Sequence, residues 1–420
     1  MTKADKEGQR KTPILRFKGF TDDWEQRKLG EVSKKLKSYS LTRSVESRTK
    51  TQIKYVHYGD IHTGIAQNIT INNKLPWIKL DQSKEIEKLK RGDIIVADAS
   101  EDYKGIADAA LIEESLPYNI IAGLHTIAFR PNNQLMDSKF IFYSLQNINF
   151  KRYGYKIGTG LKVFGISANN FFNFNLKFPN ILEQNKISTI INKLKNLLAL
   201  YAKKSSCLDS CIAYFIRTFY DYQQFFKQKN VQSSIVKSFK LNDILIKNNI
   251  RNKDSSILNV ESISNKEGFI SQKKQFDNYQ VASKDLSNYY VIHPKDFAYN
   301  PSRINVGSIA YKNPNDVKGI VSPLYVSFKC KNDIILDKYL WYWFKSANFE
   351  HQRVRLSEGG VRDTLSFNQL SKMKISIPSF EIQKQTIKFL EILIQYKEEI
   401  DLKLNNLKLI KNTLLQNMFL

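Results

Sequence analysis

The chain has 420 residues, with 65 Lys and Arg against 40 Asp and Glu, a formal charge of +25 and a pI near 9.6. That length holds two or three domains with full cores, and the charge favours polyanionic partners, although a ribosome-associated or membrane-surface protein would carry it too and the excess of Asn and Ile beside Lys shows that an AT-rich genome contributes to it. Three cysteines, Cys207, Cys211 and Cys330, are too few and too odd in number for a disulfide framework, so a reducing, cytoplasmic setting is expected. No apolar run reaches about 18 residues, and the start is polar, which predicts neither a membrane span nor a signal peptide.

In chain order, residues 1–20 read as a basic N-terminal tail. The stretch Pro13 to Val32 opens extended, turns, and enters a short helix with Leu29 and Val32 on one side. Tyr55 to Ile61 and Gly92 to Ala99 alternate and are β-branched, as are Ile257 to Ile263 and Lys295 to Asn300 in the second half, so all four predict strands. His125 to Pro131 and Leu324 to Cys330 predict strands as well, each followed by a helical run, KFIFYSLQN or KYLWYWFKSAN.

These paired segments belong to a repeat. A shift of 199 positions, from Gly160 to Gly359, also lays Tyr143 on Tyr342, Pro179 on Pro378, Gln184 on Gln383 and Leu208 on Leu407. A unit of that length is a duplicated domain, far too long for a solenoid repeat. The expected organisation is therefore α+β: a domain over 21–180, a helix over 181–228, a second domain over 229–379 and a second helix over 380–420.

Both helices show apolar residues at 3-4 spacing. The first seam reads Leu194, Leu197, Tyr201, Leu208, Cys211 and Phe215, and the second Leu393, Tyr396, Ile400, Leu407, Ile410 and Leu414, with Lys204 and Lys403 as matching polar interruptions. Two seams of equal length pack most simply on each other, and the intervening domain lets the second helix return antiparallel to the first, giving a pseudo-two-fold coiled coil.

Catalytic motifs are missing. There is no phosphate-binding G-x-x-x-x-G-K-[ST] loop, and neither Asn300-Pro301 nor Asn313-Pro314 continues into the tetrapeptide of an amino-methyltransferase. Asp93 or Asp98 with Asp102 and Lys104 supply the residue types of a Mg²⁺ nuclease, but the Glu101–Lys104 run is polar and turn-like and has no counterpart in the second copy. The five histidines lack zinc spacing, so no metal site and no cofactor are expected on this chain.

Basic and polar clusters remain. Lys151, Arg152, Tyr153, Tyr155 and Lys156, and in the second copy His351, Gln352, Arg353 and Arg355, are expected in equivalent loops before the Gly160 and Gly359 turns. Others are Lys34, Lys35, Lys37, Arg43 and Arg48; Lys247, Asn249, Arg251 and Lys253; Lys273 and Lys274; and Tyr299 with Arg303. Arg and Gln can read guanine and adenine edges while Lys and Tyr hold phosphates, so these are the candidate residues for double-stranded DNA.

The chain resembles the specificity subunits of type I restriction-modification enzymes. The likeness rests on PILRFKGFTDDWEQRKLGEV, on Arg91-Gly92-Asp93-Ile94-Ile95, and on FPNILEQNKI, echoed by IPSFEIQKQTI. It departs where the second copy has Lys295-Asp296-Phe297 for Gly-Asp-Ile. The resemblance implies two target recognition domains, each reading half of a split DNA site, and two spacer helices. It implies a non-catalytic subunit with two methyltransferase partners using S-adenosylmethionine and two motor-nuclease partners using ATP and Mg²⁺. A fused single-chain restriction-modification enzyme would need the missing motifs. A structural coiled-coil nucleic-acid-binding protein has no use for a duplicated domain.

Overall fold

The computed structural model describes residues 11–66, 68–79, 85–100, 107–160, 164–228, 236–265, 267–272, 285–357 and 364–420. The chain divides into two units, Met1–Ala202 with Leu402–Leu420, and Lys203–Asp401.

The first unit is organised by strand Ile94–Ala97, whose four residues are all buried, as expected of an apolar run with neighbours on both edges. It lies between Thr126–Pro131 and Ala109–Ile112, antiparallel to both, with Ser33–Leu36 and Asn68–Ile69 outside them. Among the described residues the second unit repeats the first four strands of this order, without a counterpart of Asn68–Ile69: Leu245–Lys247, Val326–Cys330, Phe297–Tyr299 and Ile309–Tyr311. Each unit adds a second sheet, Asn119–Ala122, Ile53–Val56, Trp77–Ile78 and Glu46–Ser47 in the first, and Gly268–Ser271, Val260–Ser264, Gly319–Val321 and Tyr290–Ile292 in the second. A two-stranded ribbon precedes each long helix, Glu25–Lys28 on Asn175–Phe178 and Val236–Lys240 on Lys374–Pro378.

The repeat survives where the sequence changes. Asp93 Oδ2 accepts from Lys90 N at 2.7 Å, and Asp296 Oδ2 from His293 N at 2.8 Å, so each aspartate closes the turn entering its central strand. The residue before it is left-handed in both, Gly92 at φ 91° and Lys295 at φ 72°. The second copy thus keeps a turn made for glycine with a side chain in it, a conformation sparsely populated by lysine. The Tyr55 to Ile61 run departs from expectation. Its strand ends at Val56, and Tyr58–His62 is a helix, because His57 Nδ1 accepts from Gly59 N while Asp60 accepts from His57 N.

Residues 11–20 are tied into the first unit and do not form a tail. Arg16 makes a bidentate pair with the fully buried Glu183 at 2.8 and 2.9 Å, Leu15 N donates to Asn417 O, and Lys186 lies over the Phe20 ring. A charge-assisted fork of this kind satisfies both carboxylate oxygens, so burying Glu183 is tolerated.

The long helices run Ile181–Gln228 and Phe380–Asn417. In the first unit Ile187 and Ile191 share a core with Leu415, Met418 and Phe419, and Lys195 faces Lys411. In the second, Ser205 Oγ donates to Asp401, Asp209 lies 3.4 Å from Lys397, and the Phe215 and Phe389 rings are 4.6 Å apart. Numbers rise along one helix as they fall along the other, so in each unit the segments pack antiparallel. The expected seam positions divide by exposure: Leu194, Tyr201, Leu208 and Phe215, with Leu393, Ile400, Leu407 and Leu414, are half-buried or buried. Leu197, Cys211, Tyr396 and Ile410 are exposed, as are Lys204 and Lys403. Their places are taken by the following residues, Leu198, Ser205, Ile212, Lys397, Leu404 and Lys411, which puts the polar groups of the interface one position later than expected.

Candidate nucleic-acid interface

The basic segments before Gly158 and before residue 358 are helices, Ile148–Ile157 and Ala347–Ser357, where loops were expected. Asn147 builds the start of the first: its Oδ1 accepts from Asn149 N, and its Nδ2 donates to Leu415 O. A helix has one inward face, and it captures part of each basic set. Lys151 is drawn to Asp108 at 2.6 Å, and Tyr153 donates to Asn170 O with its ring on Phe174. Arg152, Tyr155 and Lys156 stay exposed.

On the second helix, Arg353 is 6% exposed and grips Glu350 at 2.6 and 2.9 Å, a pairing that lowers the Glu350 carboxyl pKa. Gln352 brackets Lys374, donating to its carbonyl and accepting from its N–H, both at 2.8 Å. Both residues are therefore used within the fold, which leaves His351 and Arg355 outward. Tyr299, also expected at the DNA face, lies inside the second unit. It is fully buried and donates to Leu365 O at 3.0 Å, and burial raises its hydroxyl pKa.

The remaining candidates are mostly at the surface. Lys34, Lys35, Lys37, Arg48, Lys247, Asn249, Lys253 and Arg303 are exposed. Arg251 is exposed but fixed, donating to Asn288 O at 2.6 Å with its guanidinium 4.7 Å from the centre of the Tyr290 ring. Arg43 lies in a short 3-10 turn, Arg43–Val45. Lys273, Lys274, Asp102, Lys104 and Gly359 lie outside the described residues.

Sequence reading missed a cluster in the first unit. His62, on the short helix after Val56, places Nε2 2.8 Å from Ala99 O and Nδ1 3.3 Å from Asp108, which also binds Lys151. His125 places Nδ1 3.3 Å from Asp98, and Tyr58 meets the rings of both histidines edge-on, at 5.9 and 5.6 Å. Burial raises the Asp98 carboxyl pKa against the pull of His125. Burial also opposes ionisation of Asp108, but His62 and Lys151 together lower its pKa. These residues are far apart in the chain, so spacing gave no signal; the one hint was Asp98, polar at the end of an apolar strand. Among the described residues no group of three or more His, Cys, Asp or Glu could hold a metal ion. Asp93, weighed as a nuclease carboxylate, is buried and held by Arg130 through two bonds of 2.7 Å.

A family profile described as "Type I restriction modification DNA specificity domain" matches the chain twice, over residues 21–208 and 233–409. Among solved structures, the chain is similar to the type I restriction-modification system S subunit from M. genitalium, at 14% identity with a TM-score of 0.57, covering 97% of this chain and 99% of that one. It is also similar to the HsdS subunit from Thermoanaerobacter tengcongensis, at 14% identity with a TM-score of 0.47, covering 94% and 96%. A third match, at 15% identity with a TM-score of 0.49 and covering 93% and 96%, comes from work on complex assembly and conformational transition of the type I R-M system. At these identities the M. genitalium match supports the fold. A search of curated proteins found no match.

Proposed function

The chain belongs to the family of type I restriction-modification DNA specificity domains, and from that premise we propose that it reads a split DNA site, one half with each repeat. The observation that carries this reading is the pairing of one sheet order, kept in both units, with unlike polar surfaces on it. Arg152, Tyr155 and Lys156 occupy in the first unit the helix that carries His351 and Arg355 in the second. Same frame with different exposed donors is what two unlike half-sites require, and the +25 charge supplies attraction to phosphates of any sequence.

On this proposal the subunit performs no chemistry itself. The two long helices set the distance between half-sites and dock two methyltransferase subunits, which supply S-adenosylmethionine chemistry, and two motor-nuclease subunits bring ATP and Mg²⁺. A cytoplasmic setting suits that assembly, and among the described residues no helix is long and apolar enough to cross a membrane. The test is the methylome of a host carrying the chain with its methyltransferase partner. A two-part motif is expected, and exchange of residues 21–180 for the same domain of a relative should change one half and spare the other. A motif that changes in both halves together would overturn the modular reading.

A further inference from the structure

The two units differ most sharply at one place where their backbones agree. Ala97 N donates to Asp108 O in the first and Asn300 N to Ser308 O in the second, while Ile166 N donates to Asp98 O and Leu365 N to Pro301 O. The strand registers likewise set His125 against Leu324, and the 199-residue shift sets Lys151 against Glu350. Asp98, Asp108, His125 and Lys151 therefore stand where the second unit has Pro301, Ser308, Leu324 and Glu350. The charged cluster therefore belongs to the first unit alone, on a backbone hydrogen-bond frame that both units share.

His125 is the outward member. Its side chain is 52% exposed, and its backbone sits at φ 57°, a strained conformation that persists where the surroundings enforce it and that gathers at functional sites. The surroundings here are explicit: Asp98 N donates to His125 O at 3.1 Å, Leu124 N donates to Tyr55 Oη at 2.8 Å, and Thr126 Oγ1 donates to Gly123 O at 2.6 Å. Asp98 engages Nδ1 and Tyr58 meets the ring edge-on, which leaves Nε2 as the ring nitrogen not held by Asp98.

We propose that His125, positioned by Asp98 and Tyr58, contacts a base edge in the half-site read by the first unit and sets the preference at one position there. The proposal rests on the reading of the first repeat as a DNA-recognition domain. A neutral ring with its proton on Nδ1 offers Nε2 as acceptor to the exocyclic amine of adenine or cytosine, and a protonated ring donates to guanine N7 or O6. The base preferred by the native chain identifies which form acts.

The test compares methylomes of hosts carrying the methyltransferase partner with the native chain, with His125→Asn, or with Asp98→Asn. Asparagine tolerates a left-handed backbone, so His125→Asn removes the ring and leaves the turn intact. The expected result is a loss of about fivefold or more in preference at one position of one half-site, the same position for both variants. An unchanged motif in both variants overturns the proposal, as does a uniform fall in methylation with no change in preference. If the native chain directs no two-part motif at all, the domain reading itself has failed, a result distinct from either.

Discussion

Gln184 and Gln383 occupy equivalent places in the two units and make equivalent bonds. Gln184 Oε1 accepts from Asp137 N at 3.0 Å and Gln383 Oε1 from Leu336 N at 2.8 Å, while their amides donate to Pro179 O at 2.8 Å and Pro378 O at 3.0 Å. Both side chains are fully buried. Each glutamine joins the first turn of its long helix to the start of the short helix Ser138–Ser144 or Asp337–Trp343. Replacing Gln383 with Leu should leave the Leu336 N–H and Pro378 carbonyl unpaired, at a cost of about 1–3 kcal/mol for each group so stranded. Urea unfolding, followed by the fluorescence of Trp341 and Trp343, reads the loss; an unchanged midpoint would show that the amide does not hold the helix start.

Asp296 gives a pH dependence with a definite sign. Burial raises its carboxyl pKa, opposed by the His293 N–H bond and the nearby His293 and Lys329 charges. A carboxyl whose folded pKa lies above its unfolded value of about 3.9 binds more protons folded than unfolded. It therefore costs the second unit stability as pH rises through the window between those two values. Asp296→Asn keeps an acceptor for His293 N and removes the titration. The variant should gain stability relative to the native chain between low and neutral pH, measured as the difference in thermal midpoints across that range; a difference that shrinks as pH rises would contradict the burial argument.

Much of this fold was legible in the sequence, and the misses have physical causes. The repeat, the buried strand at Ile94 and both long helices follow from periodicity and β-branched content. The seam residues divide into sheltered and exposed because apolar residues stand side by side at Ile190-Ile191, Leu197-Leu198 and Cys211-Ile212, so hydropathy cannot choose between i+3 and i+4. The polar residues there, Ser205, Lys397 and Asp401, satisfy one another, Ser205 with Asp401 across the helices and Lys397 with Asp401 along one of them, which a hydropathy pattern reads as surface. Arg353, Gln352 and Tyr299 read as DNA contacts by residue type alone, while their partners Glu350, Lys374 and Leu365 become evident only on folding.

That burial separates two arginines the sequence treats alike. Arg355→Ala should weaken DNA binding by about 1–3 kcal/mol if its side chain reads a base, with relaxed preference in one half-site, or should lower the salt slope evenly across sequences if it meets a phosphate. Arg353→Ala should instead destabilise the second unit, by about 0.5–3 kcal/mol for a lost buried contact, with base preference unchanged in whatever protein remains folded. Binding measured over a salt series, beside a thermal melt of each variant, separates the two. A base-specific loss from Arg353→Ala would mean that the Glu350 pair opens on DNA.

The proposed role of the helices as a ruler makes the last prediction. Because the segments pack antiparallel, an insertion must enter both at one level, and Ser205 bonded to Asp401 marks such a level. Four helical residues before Ser205 and four after Asp401 lengthen the pair by about 6 Å and turn its far half by about 40° beyond a full turn. Such an insertion acts as a stutter that locally unwinds the seam without reversing its face. DNA rises about 3.4 Å per base pair and turns about 34–36° over the same step. The added rotation matches one base pair and the added length nearly two. Rotation should decide the outcome, since a domain displaced in angle faces the wrong side of the groove, whereas a few ångströms of length are absorbed by side chains reaching along it. The preferred spacer should therefore grow by one pair, with two tolerated, when methylation is assayed on substrates of graded spacer length. An unchanged optimum would show that the half-site distance is set by contacts other than these helices.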